Sequence, residues 1–286
     1  DSLLEAEKKV AAAQEEFNEL MRRLPNIPFE DVPEGKDESA NKILREAGEK
    51  RLFSFKPKDY MELASGLGLI ETERAAKVSG SRFGYLMRDA VLLEFALVQF
   101  ALDRALAKGF IPVVPPVLVR ESAMRAMGYI DTEDDREERY FLEKDKLFLV
   151  GTSEQSIGPM HADEIFAAAD LPHRYIGFST CFRREAGSYG KDTKGILRVH
   201  QFDKVEMFTI ARPEDSPKEH ELMLSIEEEL MQALGIPYRV VLLSTGDLSR
   251  PSAKTYDIEA WLPGQENAAG QYRETHSTSN TTDFQA

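Results

Sequence analysis

A single cysteine, Cys181, occurs in the 286 residues. That excludes an internal disulfide and any multi-cysteine zinc site, and a reducing cytoplasm is the expected compartment. No apolar run approaches the roughly 18 residues a membrane span requires, so no membrane partner is expected. No secretory leader is visible, and the first residue is Asp1. The P-loop and dinucleotide glycine patterns are both missing, as is any internal repeat. Positive charge is scarce: 36 Lys and Arg face 50 Asp and Glu, giving a net charge of −14. Phosphate contact needs concentrated Lys and Arg, so a general nucleic-acid binder is disfavoured. Any RNA contact must use a local basic surface or a segment outside this chain. His161, His173 and His220 have no metal-ligand spacing.

What is present reads as an ordinary globular protein, with 42% apolar and 30% charged residues. Leu3, Ala6, Val10, Ala13, Phe17, Leu20 and Leu24 recur at spacings of three and four, which predicts one strand of a coiled coil. An amphipathic helix lying on a domain is the alternative. Residues 1–28 are therefore expected to be a helical arm ended by Pro25 and Pro28, and 29–55 a polar linker. Residues 56–286 are expected to form the globular domain. A helix is predicted from Asp89 to Lys108 with Gly109 as its cap; its apolar residues cover nearly every face, so it should be buried in a core or a subunit interface. Pro112, Pro115 and Pro116 confine the strand after it to a sheet edge or an interface. Strands are predicted at 140–142, 147–150, 175–182, 204–210, 238–244 and 255–262. Between them, Ser216 should open a helix through a capping box with Glu219, and Gly235 should close it. Hairpin-linked strands with inserted helices predict an α+β domain built on an antiparallel sheet.

The densest chemistry lies between Cys181 and Glu206. Arg183 and Arg198 end two strands joined by a long loop bearing Gly187, Gly190 and Gly195, so both should reach one cleft. Guanidinium forks bind phosphate and carboxylate in bidentate fashion and stay charged when desolvated. Phe202 can offer a flat face to a base, and Glu206, four residues along the same strand, shares its face. On residue types alone, a charged surface hairpin explains the segment as well.

The run Phe182-Arg183-Arg184-Glu185, a loop, and Arg198-Val199-His200-Gln201-Phe202-Asp203-Lys204-Val205-Glu206 resembles motif 2 of class II aminoacyl-tRNA synthetases, in the form typical of the seryl enzymes. Gly109 to Pro116 resembles motif 1, whose helix and strand build the homodimer interface of that class. Thr152-Ser153-Glu154 resembles the loop over the serine pocket, and Tyr272 to Ser277 with Asp283 to Ala286 resembles the segment after the Trp-Leu-Pro-Gly stretch. The heptad helix resembles half of the coiled-coil arm that grips serine tRNA.

The resemblance implies a serine–tRNA ligase that uses ATP and Mg²⁺. By it, Arg183 clamps the serine carboxylate and the α-phosphate, and Arg198 holds the triphosphate; these two are the catalytic residues. Thr152, Ser153, Glu154 and Glu206 form the serine pocket. Arg184, Glu185, Val199, Phe202, Thr275 and His276 belong to the ATP site, with Glu274 and Ser277 serving ATP and its Mg²⁺. For His200 and His276, structural support is the stronger expectation than catalysis. Cys181 is expected to be a small buried hydrophobe. Lys191 and Lys194 could meet the tRNA acceptor end or face solvent. A third class II motif and the other half of the arm are not in the chain, which is expected of a fragment of a longer enzyme; a reduced paralogue without activity is the alternative. A related ligase that charges a carrier protein has no need of a coiled-coil arm.

Overall fold

The computed structural model describes residues 2–186, 192 and 195–285; Gly187, Gly190, Lys191, Lys194 and Ala286 lie outside them. The helices are α1 (Ser2–Arg22), α2 (Tyr60–Leu67), α3 (Thr72–Ser79), α4 (Asp89–Leu106), α5 (Glu121–Ala126), α6 (Glu133–Glu137), α7 (Glu154–Ile157), α8 (Ser216–Ala233) and α9 (Gln265–Ala268). The strands are β1 (Lys42–Ala47), β2 (Ile70–Glu71), β3 (Tyr85–Leu86), β4 (Ile111–Val113), β5 (Leu118–Arg120), β6 (Phe141–Leu142) and β7 (Leu147–Leu149). They continue with β8 (His173–Phe182), β9 (Gln201–Ile210), β10 (Tyr238–Leu242), β11 (Lys254–Leu262) and β12 (Gln271–Asn280). Among the described residues no helix is long and apolar enough to cross a membrane.

The strands alternate in residue type, and each sheet uses that alternation to present two unlike faces. One sheet has the order β1-β10-β11-β12, all antiparallel. Tyr238, Val240, Leu242, Tyr256, Ile258 and Ala260 turn one face toward Leu224 and Met231 of α8. A second sheet has the order β4-β8-β9. Its Ile176, Val205 and Met207 pack with Phe110 and Ala105 against Ile226 of the same helix. Helix α8 thus backs both sheets, leaving their opposite faces to line the site. A third core, around Met124, Ile130, Phe148 and Val150, supports β5, β6 and β7.

Three expectations change and one is narrowed. The stretch 29–55 is more than a linker: β1 pairs with β10 from Lys42↔Leu242 to Ala47↔Tyr238 and edges the four-stranded sheet. The proline-bearing strand does lie at an edge, but β4 pairs with β8 in parallel, so the sheets are not wholly antiparallel. For helix α4 the core alternative is removed and the interface one left: Leu102 and Ala105 pack inward in this chain, while Leu92, Leu93 and Phe95 stay 58% or more exposed. Finally, Ser216 forms no capping box, because Asp215 occupies the cap position without a side-chain bond. The Ser216 hydroxyl instead accepts from Asn280, and Glu219 is drawn away into an ion pair with Arg174, 2.6 Å long. A charge-assisted pair to a guanidinium outcompetes a neutral cap contact.

Helix α1 has no buried residue; Leu3, Val10, Phe17 and Leu20 remain exposed along it. At the other extreme, His220 is buried under the four-stranded sheet and donates to the Thr278 carbonyl at 2.9 Å. His276 pairs with Ile258 in the ladder and so shares the face turned to α8. Burial holds its pKa down to about 4, below its ordinary 6.5. The unfolded chain therefore takes up the proton first, and stability present above pH 6.5 is lost as pH falls toward 4. The loss should be at most roughly 3 kcal/mol. Melting temperature followed from pH 7 to 4 should fall steeply in the parent chain and less steeply in His276→Asn.

Candidate active site

Strands β8 and β9 build the first wall. Their register sets Gly177 opposite Glu206, Ser179 opposite Lys204 and Cys181 opposite Phe202. Since Ile176, Val205 and Met207 take the core face, Phe202, Lys204 and Glu206 occupy the other. Cys181 is fully buried, as its apolar strand predicts. Beyond the ladder, Arg183 and His200 continue the pairing: the Arg183 amide donates to the His200 carbonyl at 3.0 Å, and His200 Nδ1 contacts the Arg183 carbonyl at 3.0 Å. His200 is thus a structural support for the hairpin. Arg183 Nε donates to the Gly151 carbonyl at 3.1 Å, and its guanidinium lies 5.3 Å from the centre of the Phe202 ring.

The turn at residues 152–154 lies against this wall. Thr152 Oγ1 donates to Glu206 at 2.8 Å, and Lys204 Nζ lies 2.6 Å from the same carboxylate. Glu154 accepts from the Tyr129 hydroxyl at 2.8 Å and from the Gln285 amide at 2.7 Å. Burial pushes the Glu154 pKa up, and the neighbouring Glu206 pushes it further. Two carboxylates and a hydroxyl share a small pocket in which Lys204 is ion-paired with Glu206; an ammonium ligand would relieve the repulsion between Glu154 and Glu206. Ser153 is fully buried beneath, its hydroxyl without a hydrogen-bond partner, so it packs under the pocket and does not line it.

The nucleotide-facing residues divide. Arg198 is ion-paired with Glu185 at 2.6 Å, and the guanidiniums of Arg183 and Arg198 both act to hold the Glu274 proton less tightly, against the burial that raises its pKa. Arg183, Arg198, Lys204 and Glu274 thus share one electrostatic neighbourhood. Arg184 departs from expectation: it sits over Tyr140, 5.8 Å from the ring, while Arg183 takes the Phe202 side. Adjacent residues on an extended chain point oppositely. Val199, between Arg198 and His200, is half-buried and has no polar side-chain group to offer. The β12 bulge at Ile258/Glu259 settles the last group. Glu274 pairs with Glu259 and Ser277 with Asp257, on the site face; His276 lies on the other face, and Thr275 turns its hydroxyl to the Ile258 carbonyl. Neither His276 nor Thr275 joins the cleft.

Glu274, Ser277, Asp257, Glu259 and Arg239 line a cavity of about 660 Å³ on the four-stranded sheet. Burial, with the Glu274 charge adding to it, raises the Asp257 pKa to about 7, opposed by the Ser277 hydrogen bond. Among the described residues no three His, Cys, Asp or Glu side chains are arranged to hold a metal ion unaided. Two hard oxygen donors, Glu274 and Ser277, fit Mg²⁺ if phosphate oxygens and water complete its shell, the usual arrangement for that ion.

Four contributors escaped sequence reasoning. Lys204 was legible in principle, since it alternates with Phe202 and Glu206; so was Asp257, two residues from Glu259 on one strand. Tyr129 left no signal, because it reaches Glu154 only through a tertiary contact, and Gln285, inside the resembling stretch Asp283 to Ala286, was given no role there.

The model of the class II tRNA synthetase core domain (G, H, P, S and T) matches residues 138–286. The serine–tRNA ligase of Acidothermus cellulolyticus is 49% identical over 99% of this chain and 67% of its own length. That of Nitrosopumilus maritimus is 49% identical over 97% of this chain and 66% of its own. Among solved structures, seryl-tRNA synthetase from Pyrococcus horikoshii complexed with ATP superimposes with a TM-score of 0.93 at 45% identity, over 99% of this chain and 66% of that one. Cytoplasmic serine–tRNA ligase from Naegleria fowleri in complex with AMP gives 0.91 at 36%, over 98% of this chain and 66% of that one. The chain belongs to the seryl-tRNA synthetase family of class II enzymes, and it spans about two thirds of the length of the relatives it matches.

The fit of the pocket turn on β8 rests on Gly177. A methyl group there would come within 2.5 Å of Ile157 and 3.0 Å of the Ser153 hydroxyl. Gly177→Ala should lower the urea midpoint, by roughly 1–3 kcal/mol of stability, because the turn cannot retreat without moving Thr152 and Glu154.

Proposed function

We propose that the full-length protein activates serine with ATP, forming seryl-adenylate and pyrophosphate, and transfers the seryl group to the 3′ end of serine tRNA. The observation that carries this reading is the convergence of Arg183, Phe202, Thr152, Glu154 and Glu206 on one wall. A small amino acid has its ammonium met by carboxylates and its carboxylate by Arg183, which can also reach the α-phosphate. The adenine would lie on Phe202, with Arg198 released from Glu185 to the phosphates. Carboxylate attack on phosphorus joins two anions, so fixed cations and positioning supply the acceleration without a side-chain nucleophile. Mg²⁺, held by Glu274 and Ser277, would screen phosphate charge. Serine's hydroxyl could join the polar group of Thr152, Glu206 and Lys204 as alanine's methyl cannot, which favours serine.

The relatives' names and the ATP and AMP complexes support the same reading. So does the exposed apolar flank of α4 with Ile111 and Val114 beside it, a surface suited to a second copy of the chain in a homodimer. The exposed heptad stripe of α1 suits a second arm helix, the pair gripping the tRNA. The compartment in this reading is the cytoplasm.

Serine-dependent exchange of pyrophosphate into ATP, assayed across all twenty amino acids, tests the activity. Serine alone should support it, and Arg183→Ala should reduce it by at least about 10²–10³-fold. Equal exchange with glycine or alanine would move the reading to a carrier-protein ligase. Separately, Phe95→Asp in α4 should convert the sedimenting dimer into a monomer.

A further inference from the structure

In a chain of net charge −14, residues 50–58 carry Lys50, Arg51, Lys56 and Lys58 and no acid, interleaved with Leu52, Phe53 and Phe55. The segment has no helix or strand, yet it is pinned at both ends. At one end, Lys50 Nζ sits 4.4 Å from the ring centre of Trp261 and 4.5 Å from that of Tyr272, at the tip of the β11–β12 hairpin. At the other, the Lys58 backbone lies so close to Gly264 that a methyl group on that glycine would fall 2.1 Å from the Lys58 carbonyl. Two residues on, the Tyr60 hydroxyl accepts from the Ile196 amide at 2.9 Å, on the loop that leads to Arg198. Both pins thus lie on the hairpin that carries Glu274, and Tyr60, just past the second, ties this end of the segment to the loop that leads to Arg198.

Between the pins the chain bows into solvent. Leu52 is 95% exposed and Phe55 65% exposed. Phe53 and Phe55 meet edge to face at 5.3 Å, and Arg51 lies 5.3 Å from the Phe53 ring centre. Among the described residues Arg51, Lys56 and Lys58 have no carboxylate partner. Exposed aromatic faces beside unneutralised cations suit one kind of ligand, a single-stranded nucleic acid, which offers phosphates to the cations and unstacked bases to the rings. The chain's net charge of −14 disfavours binding of a polyanion over the molecule at large.

We propose that residues 51–58 are a docking strip for the single-stranded 3′ end of tRNA on its way to the adenylate, an inference that rests on the activity proposed above. The test uses the full-length protein, Arg51→Ala/Lys56→Ala/Lys58→Ala and Phe55→Ala. Binding is measured between 50 and 200 mM salt with serine tRNA, intact or lacking its single-stranded 3′ end. The triple variant should bind intact tRNA about tenfold more weakly, with the slope of log K against log salt reduced by about 2, as three lost phosphate contacts to a single strand require. Phe55→Ala should weaken binding by about fivefold with little change in slope, since it removes stacking alone. All three proteins should bind the shortened tRNA alike and keep serine-dependent exchange. Unchanged affinity for intact tRNA overturns the inference, as does dissociation of a dimer by these variants, which would make the strip a contact with a second copy. Loss of exchange in the parent protein would overturn the activity instead.

Discussion

The two-residue period of β9 is the constraint on which the site depends. Phe202, Lys204 and Glu206 can line a cleft only because Val205 and Met207 are fixed against α8 on the other side of the strand. A one-residue slip against β8 would bury the charges and expose the apolar pair, a penalty of several kcal/mol from unpaired charge alone. The register also delivers Arg183 to the end of the ladder, where Phe202 and Gly151 hold its guanidinium. Packing behind the sheet and chemistry in front of it are two consequences of one alternation.

Electrostatics in the cleft are balanced rather than uniformly positive. Lys204 offsets Glu206, and Glu185 occupies Arg198. On the neighbouring sheet the carboxylates of Asp257, Glu259 and Glu274 gather with Arg239. Ligands that carry both charges can replace such internal pairs. The desolvation of the arginines is thereby offset before substrate arrives.

Much of this was legible because local period and residue type agree. The strands at 175–182 and 204–210 and the shared face of Phe202 and Glu206 follow from alternation, whereas the roles of Arg183 and Arg198 came from the resemblance of their motif. What escaped was decided by contacts between distant segments. The strand β1 is short and, lying at an edge, mostly exposed, with no clean alternation in residue type, so it reads as linker. Ser216 and Glu219 have the spacing of a capping box, but Asn280 and Arg174 claim them. His276 and Thr275 entered the site by resemblance alone; the bulge, invisible in the alternation, puts Ser277 and not His276 on the face of Glu274. Tyr129 reaches Glu154 across a fold that no periodicity encodes.

The stack at the tip of the β11–β12 hairpin has an optical consequence. Trp261 is the one tryptophan in the chain, and it is in contact with a lysine ammonium and edge-on to Tyr272, 5.0 Å between ring centres. Indole emission responds to nearby charge, so this chain's tryptophan emission originates from a single spot, the junction of β1's trailing segment with the hairpin that carries Glu274. The protein thus carries its own spectroscopic reporter for movements of that hairpin, with no label to attach.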